Sequence, residues 1–318
     1  YLGVPISLSN LSIEDKFGVF EVGMSKAGEI RNLTKLIKPD IGVITNIGEA
    51  HLENFENIHG IAKAKSEIIE NIQQGGTIIL NRDDNFFNFL SKKAKKYQLK
   101  ISTFGTHKKS DIRFKKIIDN GKISRIFVYL NNQVLNFEIK DLNIQNVLAS
   151  IAVLKELKFN ISELKLKFKK FELPDGRGKK HFIYRYNKNF KLIDESYNAN
   201  PLSVKRAINK LSSIKKENFK KYLILGDMLE LGPKSKKYHE DLSKVINNSD
   251  IDKVFIKGTK AIFTYKHLNK DKRGNIFQNN EDIDLSLGKM ISNNDYLMIK
   301  GSNATGLSNF SKKMIRGA

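Results

Sequence analysis

TNIGEAHLENFENIHGIAKAKSEIIENI, residues 45–72, overlaps the end of the apolar run Ile41–Ile47 and turns a buried strand into a helix. Asn46, Gly48 and His51 stand at the junction. On a 3.6-residue wheel Ile58, Ile61, Ala62, Ile68, Ile69 and Ile72 form one stripe, with Lys65 at its centre and Lys63 pointing the other way. The pattern aims a lysine at the core. A bare ammonium there carries a large desolvation cost, so Lys65 is expected to be paired, neutral or chemically changed. A neutral amine can take up carbon dioxide to give a carbamate, a metal-binding anion. The other reading stays open here: the stem packs in the core while the ammonium snorkels out or pairs with Glu49, Glu53 or Glu67.

Working outward, Phe17–Val22 (FGVFEV) is expected as a short strand, followed by helix signals over Gly28–Ile37 and a break at Pro39. Downstream of the Lys65 helix come Gly75-Gly76, a strand at Thr77–Asn81 and a lysine-rich helix at Asn85–Tyr97. This alternation implies a parallel sheet. Asp111–Lys140 changes to alternating Ile/Phe/Val/Tyr segments joined by Asp119-Asn120-Gly121 and Asn131-Asn132, the pattern of antiparallel hairpins. Asn143–Leu157 returns to helix, and PDGRGKK (Pro174–Lys180) has the composition of a linker.

After that linker the alternation resumes. Strands are expected at Lys191–Asp194, Tyr222–Gly226, Lys253–Ile256 and Tyr296–Ile299, with helices at Pro201–Leu211, Ser235–Ile246 and after Gly306. The fold class is therefore α/β: residues 1–174 as a partial parallel-sheet domain with appended antiparallel strands, and residues 175–318 as a smaller Rossmann-like α/β domain.

Composition narrows the function less than the pattern does. The chain has 318 residues and no cysteine, which removes disulfides and thiolate metal sites. No apolar run is long enough to cross a bilayer. Tyr1 opens the chain as if in mid-domain. The net charge of +22 could serve nucleic acid or a polyanionic small substrate. The lysines are spread along the whole chain, and no nucleic-acid-binding motif accompanies them.

Ligands of open α/β sheets collect at the carboxyl ends of strands. Glu21, Asn46 with His51, Asn81 with Asp83 and Asp84, Asp194, Asp227 and Lys300 all fall at or just past such ends. Turn and cap duty accounts for several of these alone, Asp83, Asp84 and Asp227 above all.

EVGMSKAGEI (21–30), IGVITNIGEAHLENF (41–55), AKAKSEI (62–68), NIQNVLASIAV (143–153), DESYNANPLS (194–203), LGDMLELG (225–232) and KGS (300–302) together resemble the Mur ligase family, in order along nearly the whole chain. The resemblance implies a cytoplasmic, ATP-dependent amide-bond ligase of peptidoglycan precursor synthesis, monomeric and using magnesium. Its partners are then UDP-N-acetylmuramoyl-tripeptide and D-alanyl-D-alanine, with no nucleic acid and no membrane insertion. The tripeptide carboxylate is phosphorylated by ATP, and the dipeptide amine attacks the acyl phosphate. Phosphate is a far better leaving group than oxide, so the protein's work is positioning and charge neutralisation.

Carried over position by position, Glu21 and His51 match magnesium ligands and Lys65 the lysine carried as its carbamate, with His51, Lys65 and Arg177 at the reaction centre. Oxygen ligands from Glu21 and a carbamate suit a hard cation. Asn143 and Asn146 match asparagines near the adenine, where an amide can both donate and accept. Arg177 matches an arginine that reaches the terminal phosphates, suited to a planar fork. Asp194 resembles the aspartate that holds the ribose. Tyr197, Asn198 and Asn200 belong to the same signature and, with Lys300 and Ser302, lie on the acceptor or reaction-centre side.

Two departures stand out. Asn303 occupies the position where an arginine usually follows KGS, which changes the charge of the acceptor side. No GxxxxGK followed by Ser or Thr occurs, since the GK pairs at Gly121, Gly178 and Gly288 precede Ile, Lys and Met. The family's phosphate loop and UDP-binding domain are thus expected upstream of Tyr1, and the 318 residues alone are expected not to turn over ATP. The competing readings are a folylpolyglutamate-type or cyanophycin-type ligase, a basic nucleic-acid-binding module, and a non-catalytic scaffold.

Overall fold

Contiguous apolar runs become the inner strands of two sheets. The computed structural model describes residues 2–49, 51–120, 123–131, 133–164, 167–215 and 217–317. Gly121 and Asn132, central to the two expected hairpin turns, lie outside these, as does Tyr1. Contacts divide the chain into two units, the first running to Gly48 and over Asn54–Phe171, the second comprising Glu49–Glu53 and everything from Glu172 on.

The first unit contains α1 (Gly3–Ser9), α2 (Glu29–Ile37), β1 (Ile41–Ile44), α3 (Ile58–Lys65), β2 (Thr77–Asn81), α4 (Phe87–Lys96), β3 (Lys100–Gly105), β4 (Ile112–Asp119), β5 (Ser124–Leu130), β6 (Gln133–Ile139), α5 (Ile144–Glu156) and α6 (Lys167–Lys170). Its strands lie in sequence order, β1 to β4 parallel and β4 to β6 antiparallel. All five residues of β2 are buried, as a central strand with both faces covered requires. Leu148 and Ile151 of α5 pack with Ile79, Phe104, Ile112, Ile126 and Phe137 to form the core.

Two expectations fail in this unit. Residues 17–22 form no strand, and Phe17 and Val19 are exposed. An apolar run becomes a strand only where a neighbouring strand takes its N–H and C=O groups, and β1 pairs with β2 alone. β3 was not anticipated, because KISTFG opens on lysine, ends on glycine and has only Ile101 and Phe104 as large apolar residues, straight after a lysine-rich helix.

The second unit contains β7 (Lys179–Arg185), β8 (Lys188–Glu195), α7 (Pro201–Ser212), β9 (Lys221–Gly226), α8 (Ser235–Asn247), β10 (Lys253–Lys257), α9 (Ile262–Lys266), β11 (Arg273–Phe277), α10 (Asn280–Met290), β12 (Tyr296–Lys300) and α11 (Leu307–Arg316). The sheet order is β11-β10-β9-β12-β8-β7, parallel except for β7. Lys179 and Lys180, read as linker, already belong to β7. β12 enters between β8 and β9, so the carboxyl ends of β8, β9, β10 and β12 share one edge. Lys300 stands in register with Glu195 and Leu225 there. Among the described residues no helix is long and apolar enough to cross a membrane.

Candidate active site

In the first unit the expected inward face of the helix is present as far as Lys65, where the α-helix ends. Asn57 caps α3 by accepting from the His59 and Gly60 amides, which starts the helix where Ile61, Ala62 and Ala64 face inward. Lys63 is exposed, whereas Lys65 is half-buried. The α-helix stops at Lys65 and continues as a 3-10 stretch, Ser66–Asn71, a tighter winding than the sequence pattern suggested. The Lys65 amine donates to the Asn46 carbonyl at 3.1 Å. Burial lowers its pKa below the ordinary lysine value, with the Asp84 charge opposing.

No carboxylate among the described residues forms an ion pair with Lys65. Glu67, one candidate partner, is buried and accepts instead from the Gly28 and Arg31 amides at the start of α2. Asp84 accepts from the Ile47 and Phe86 amides, and Asp83 from those of Thr106 and His107. Both aspartates therefore fix loops, as their turn reading proposed. Asn81 donates to the Thr45 carbonyl, joining the ends of β1 and β2.

Glu21 is exposed in a stretch without regular structure. His51 groups with the second unit and sits at a left-handed φ of 56°. Its Nδ1 lies 2.5 Å from a Glu230 carboxylate oxygen, and Glu230 too is left-handed, with φ 61°. Among the described residues no group of three or more His, Asp or Glu is gathered as a metal site. Asn143 caps α5, accepting from the Gln145 and Asn146 amides, while the Asn146 side chain is exposed on the first turn.

In the second unit the signature residues form one network. Asp194 is buried, and its carboxylate accepts from the Gly176 amide at 3.0 Å and from the Ser196 amide and hydroxyl. Lys300, only 2% exposed, donates to the Glu195 and Asn198 carbonyls, with the Glu195 carboxylate 3.8 Å away. Its pKa falls to about 8, chiefly through burial, with Arg177 adding to the drop and Glu195 and Asp194 opposing it. Asn198 accepts from the Ala199 amide, and Asn200 starts α7 in a capping box with Ser203. The buried Ser302 hydroxyl accepts from the Leu229 amide and faces the Ala199 carbonyl. Asp227 takes the amides of Thr259, Lys260 and Ala261, again a loop-fixing role. Arg177 lies with its guanidinium carbon 4.1 Å from the centre of the Tyr197 ring.

Glu195 and His239 join the site without having stood out in the sequence. His239 is fully buried, accepts from the Met228 amide at Nε2 and faces the Ser235 carbonyl through Nδ1, so burial lowers its pKa while both nitrogens are satisfied. A signal for it existed: His239 shares an i, i+3, i+7 row with Leu242 and Ile246.

Two mostly parallel sheets with polar residues at their strand ends define an open-sheet α/β protein, a class that binds ligands along that edge, and comparison with known proteins narrows it. Residues 1–154 match the model of the Mur ligase middle domain, and residues 182–303 that of the Mur ligase, glutamate ligase domain. The chain belongs to the Mur ligase family. Within that family it is similar to UDP-N-acetylmuramoyl-tripeptide–D-alanyl-D-alanine ligases. The Rickettsia prowazekii protein is 30% identical over 315 residues, 96% of this chain and 68% of the relative. The one from Buchnera aphidicola subsp. Acyrthosiphon pisum is 32% identical over 340 residues, 99% of this chain and 68% of the relative. The solved MurF of Acinetobacter baumannii is 26% identical and matches with a TM-score of 0.86, over 99% of this chain and 68% of its own.

Proposed function

We propose that this chain serves the ATP-dependent ligation of D-alanyl-D-alanine to UDP-N-acetylmuramoyl-tripeptide. The identity to ligases of that name over nearly its whole length supports the reading. The structural observation that carries the chemistry is Lys65, a desolvated amine with lowered pKa that donates to a neutral carbonyl and, among the described residues, forms no ion pair, although the Asp84 charge partly offsets the effect of burial. Such an amine spends more time unprotonated, and only the unprotonated nitrogen can bond to the carbon of carbon dioxide, releasing one proton as the carbamate forms.

Glu21 and a Lys65 carbamate would offer the oxygen ligands that magnesium takes, while a ring-nitrogen ligand from His51 rests on the family resemblance alone. A bound magnesium would neutralise charge on the phosphates. In the reaction a tripeptide carboxylate oxygen bonds to the terminal phosphorus of ATP and the bond to ADP breaks. The dipeptide nitrogen then bonds to the acyl carbon, phosphate leaves, and the nitrogen loses a proton. Arg177 offers its guanidinium fork to the transferred phosphoryl group. Asn146 can meet a purine edge, while Asn143 caps the helix that carries it. Lys300, Asp194 and Ser302 hold the 195–200 turn and its surroundings in place, a supporting role rather than direct contact, since all three are buried.

The test is ligation by the protein as its cell makes it. With ATP, the UDP-linked tripeptide and D-alanyl-D-alanine, the expected result is one ADP and one phosphate per ligated product, identified by mass. Dipeptide-independent ATP hydrolysis, or sequence-blind duplex DNA binding at physiological salt without ligation, would overturn the reading.

A further inference from the structure

Arg177 follows Gly176, whose φ of 71° favours glycine, and precedes Gly178 at φ 95°. A Cβ at Gly176 would lie 2.8 Å from the Tyr197 amide nitrogen, so the two segments touch backbone to backbone. The Tyr197 amide donates to the Gly176 carbonyl at 3.2 Å, and the Gly178 amide to the Asp194 carbonyl at 2.6 Å. Lys300 fixes the same turn from the sheet side through the Glu195 and Asn198 carbonyls. The backbones beneath Arg177 and Tyr197 are therefore fixed relative to one another. Above them the guanidinium carbon lies 4.1 Å from the ring centroid, within the range of a cation–π contact.

Both side chains are otherwise open. Tyr197 is 50% exposed, an unusual outlay of aromatic surface in a signature segment whose other members are mostly tied down. Arg177 is exposed, and among the described residues no carboxylate forms an ion pair with it. A long arginine side chain left free samples many rotamers, and ordering it on binding costs free energy. A ring beneath the guanidinium carbon removes part of that cost and, offering no carboxylate or carbonyl oxygen, leaves the N–H donors available to an oxyanion.

We propose that Tyr197 is a positioning residue for Arg177, a shelf that presets the guanidinium plane for the phosphate oxygens it receives. The assignment of phosphate as the ligand rests on the proposed function; the stacking itself does not. Tyr197 then acts through its ring face, not its hydroxyl.

Two readouts separate these layers. In the NMR spectrum of the full protein without substrates, the Arg177 δ-methylene protons are expected to be shifted upfield by the ring current. The shift should persist in Tyr197→Phe and vanish in Tyr197→Leu. An unshifted wild-type signal overturns the inference whatever the enzyme does. In the ligation assay Tyr197→Leu is expected to lower kcat/KM for ATP by about 2- to 5-fold, the scale of one exposed cation–π contact. Tyr197→Phe should keep the wild-type value, and Tyr197→Leu should add nothing in an Arg177→Ala background. A Phe variant as impaired as Leu, or an undiminished effect without Arg177, overturns it. If the leucine variant does not fold, Tyr197→Met carries the same comparisons. Absence of ligation by the unsubstituted protein sinks the functional reading, while the ring-current arm still decides the shelf.

Discussion

Lys65 and Lys300 make an informative pair. Each is an amine at the carboxyl end of a mostly parallel sheet, and burial lowers the pKa of each. Their surroundings differ. Lys65 meets the Asn46 carbonyl at 3.1 Å and, among the described residues, has no ion-pair partner, the Asp84 charge acting on it only from further off. Lys300 donates to two carbonyls and has the Glu195 carboxylate 3.8 Å away. Burial alone therefore does not say what a lysine does; the acceptors around it do. The first unit keeps an amine with spare reactivity, whereas the second uses one up in holding a turn.

The largest effect expected from this contrast is on activity. Lys65→Ala should lower kcat for ligation by roughly 100-fold or more, the scale of losing a stabiliser of transition-state charge. Ligation at the wild-type rate in that variant would put the two lysines in the same structural class. Lys300→Met should act first on stability. Two buried carbonyls lose their donor, costing about 1–3 kcal/mol in urea unfolding.

The Lys300 contribution also has a sign. Its folded pKa of about 8 lies below the ordinary 10.5, so between those values the unfolded chain binds more protons. Stability from this group rises with pH across the window from about 8 to 10.5 and is lost as pH falls through 8. Urea melts at pH 7.5 and 10 should show that rise in the wild type and a flatter response in Lys300→Met; equal slopes would remove Lys300 as its source.

Smaller effects sharpen the comparison within each unit. Gly176→Ala forces a side chain into a left-handed backbone against Tyr197 and should cost about 1 kcal/mol or more. It should also weaken ATP use by tilting Arg177, and a neutral outcome in both assays would mean that the 176–178 turn is looser than its hydrogen bonds suggest. In the first unit Asn143→Ser should keep the α5 cap, while Asn143→Ala costs about 1 kcal/mol. A rise in KM for ATP confined to the alanine variant would assign Asn143 to the helix; a rise in both would assign it to the purine.

What could be read beforehand follows from where the information lies. Strands buried on both faces, such as β2, β9 and β12, are continuous apolar runs and announce themselves. β3, β7 and β11 were missed because KISTFG, KKHFIYR and RGNIF carry lysine, histidine or glycine where the pattern is judged. The reverse error, FGVFEV, shows that β propensity without a partner strand yields no strand. Lys65 was legible because its orientation is set by local helix geometry. The role of Lys300 was not, because the Asn198 carbonyl it holds lies 102 residues away in the chain. Arg177 on Tyr197 joins residues 20 apart through a turn whose shape depends on two positive-φ glycines and Asp194.

The measurement nearest the centre is the chemical state of the Lys65 nitrogen. The protein as its cell makes it, equilibrated with 13C-bicarbonate at neutral pH and observed by carbon NMR, should show one carbamate resonance that disappears in Lys65→Arg. An active preparation with no such resonance, or one that persists in Lys65→Arg, would contradict the account.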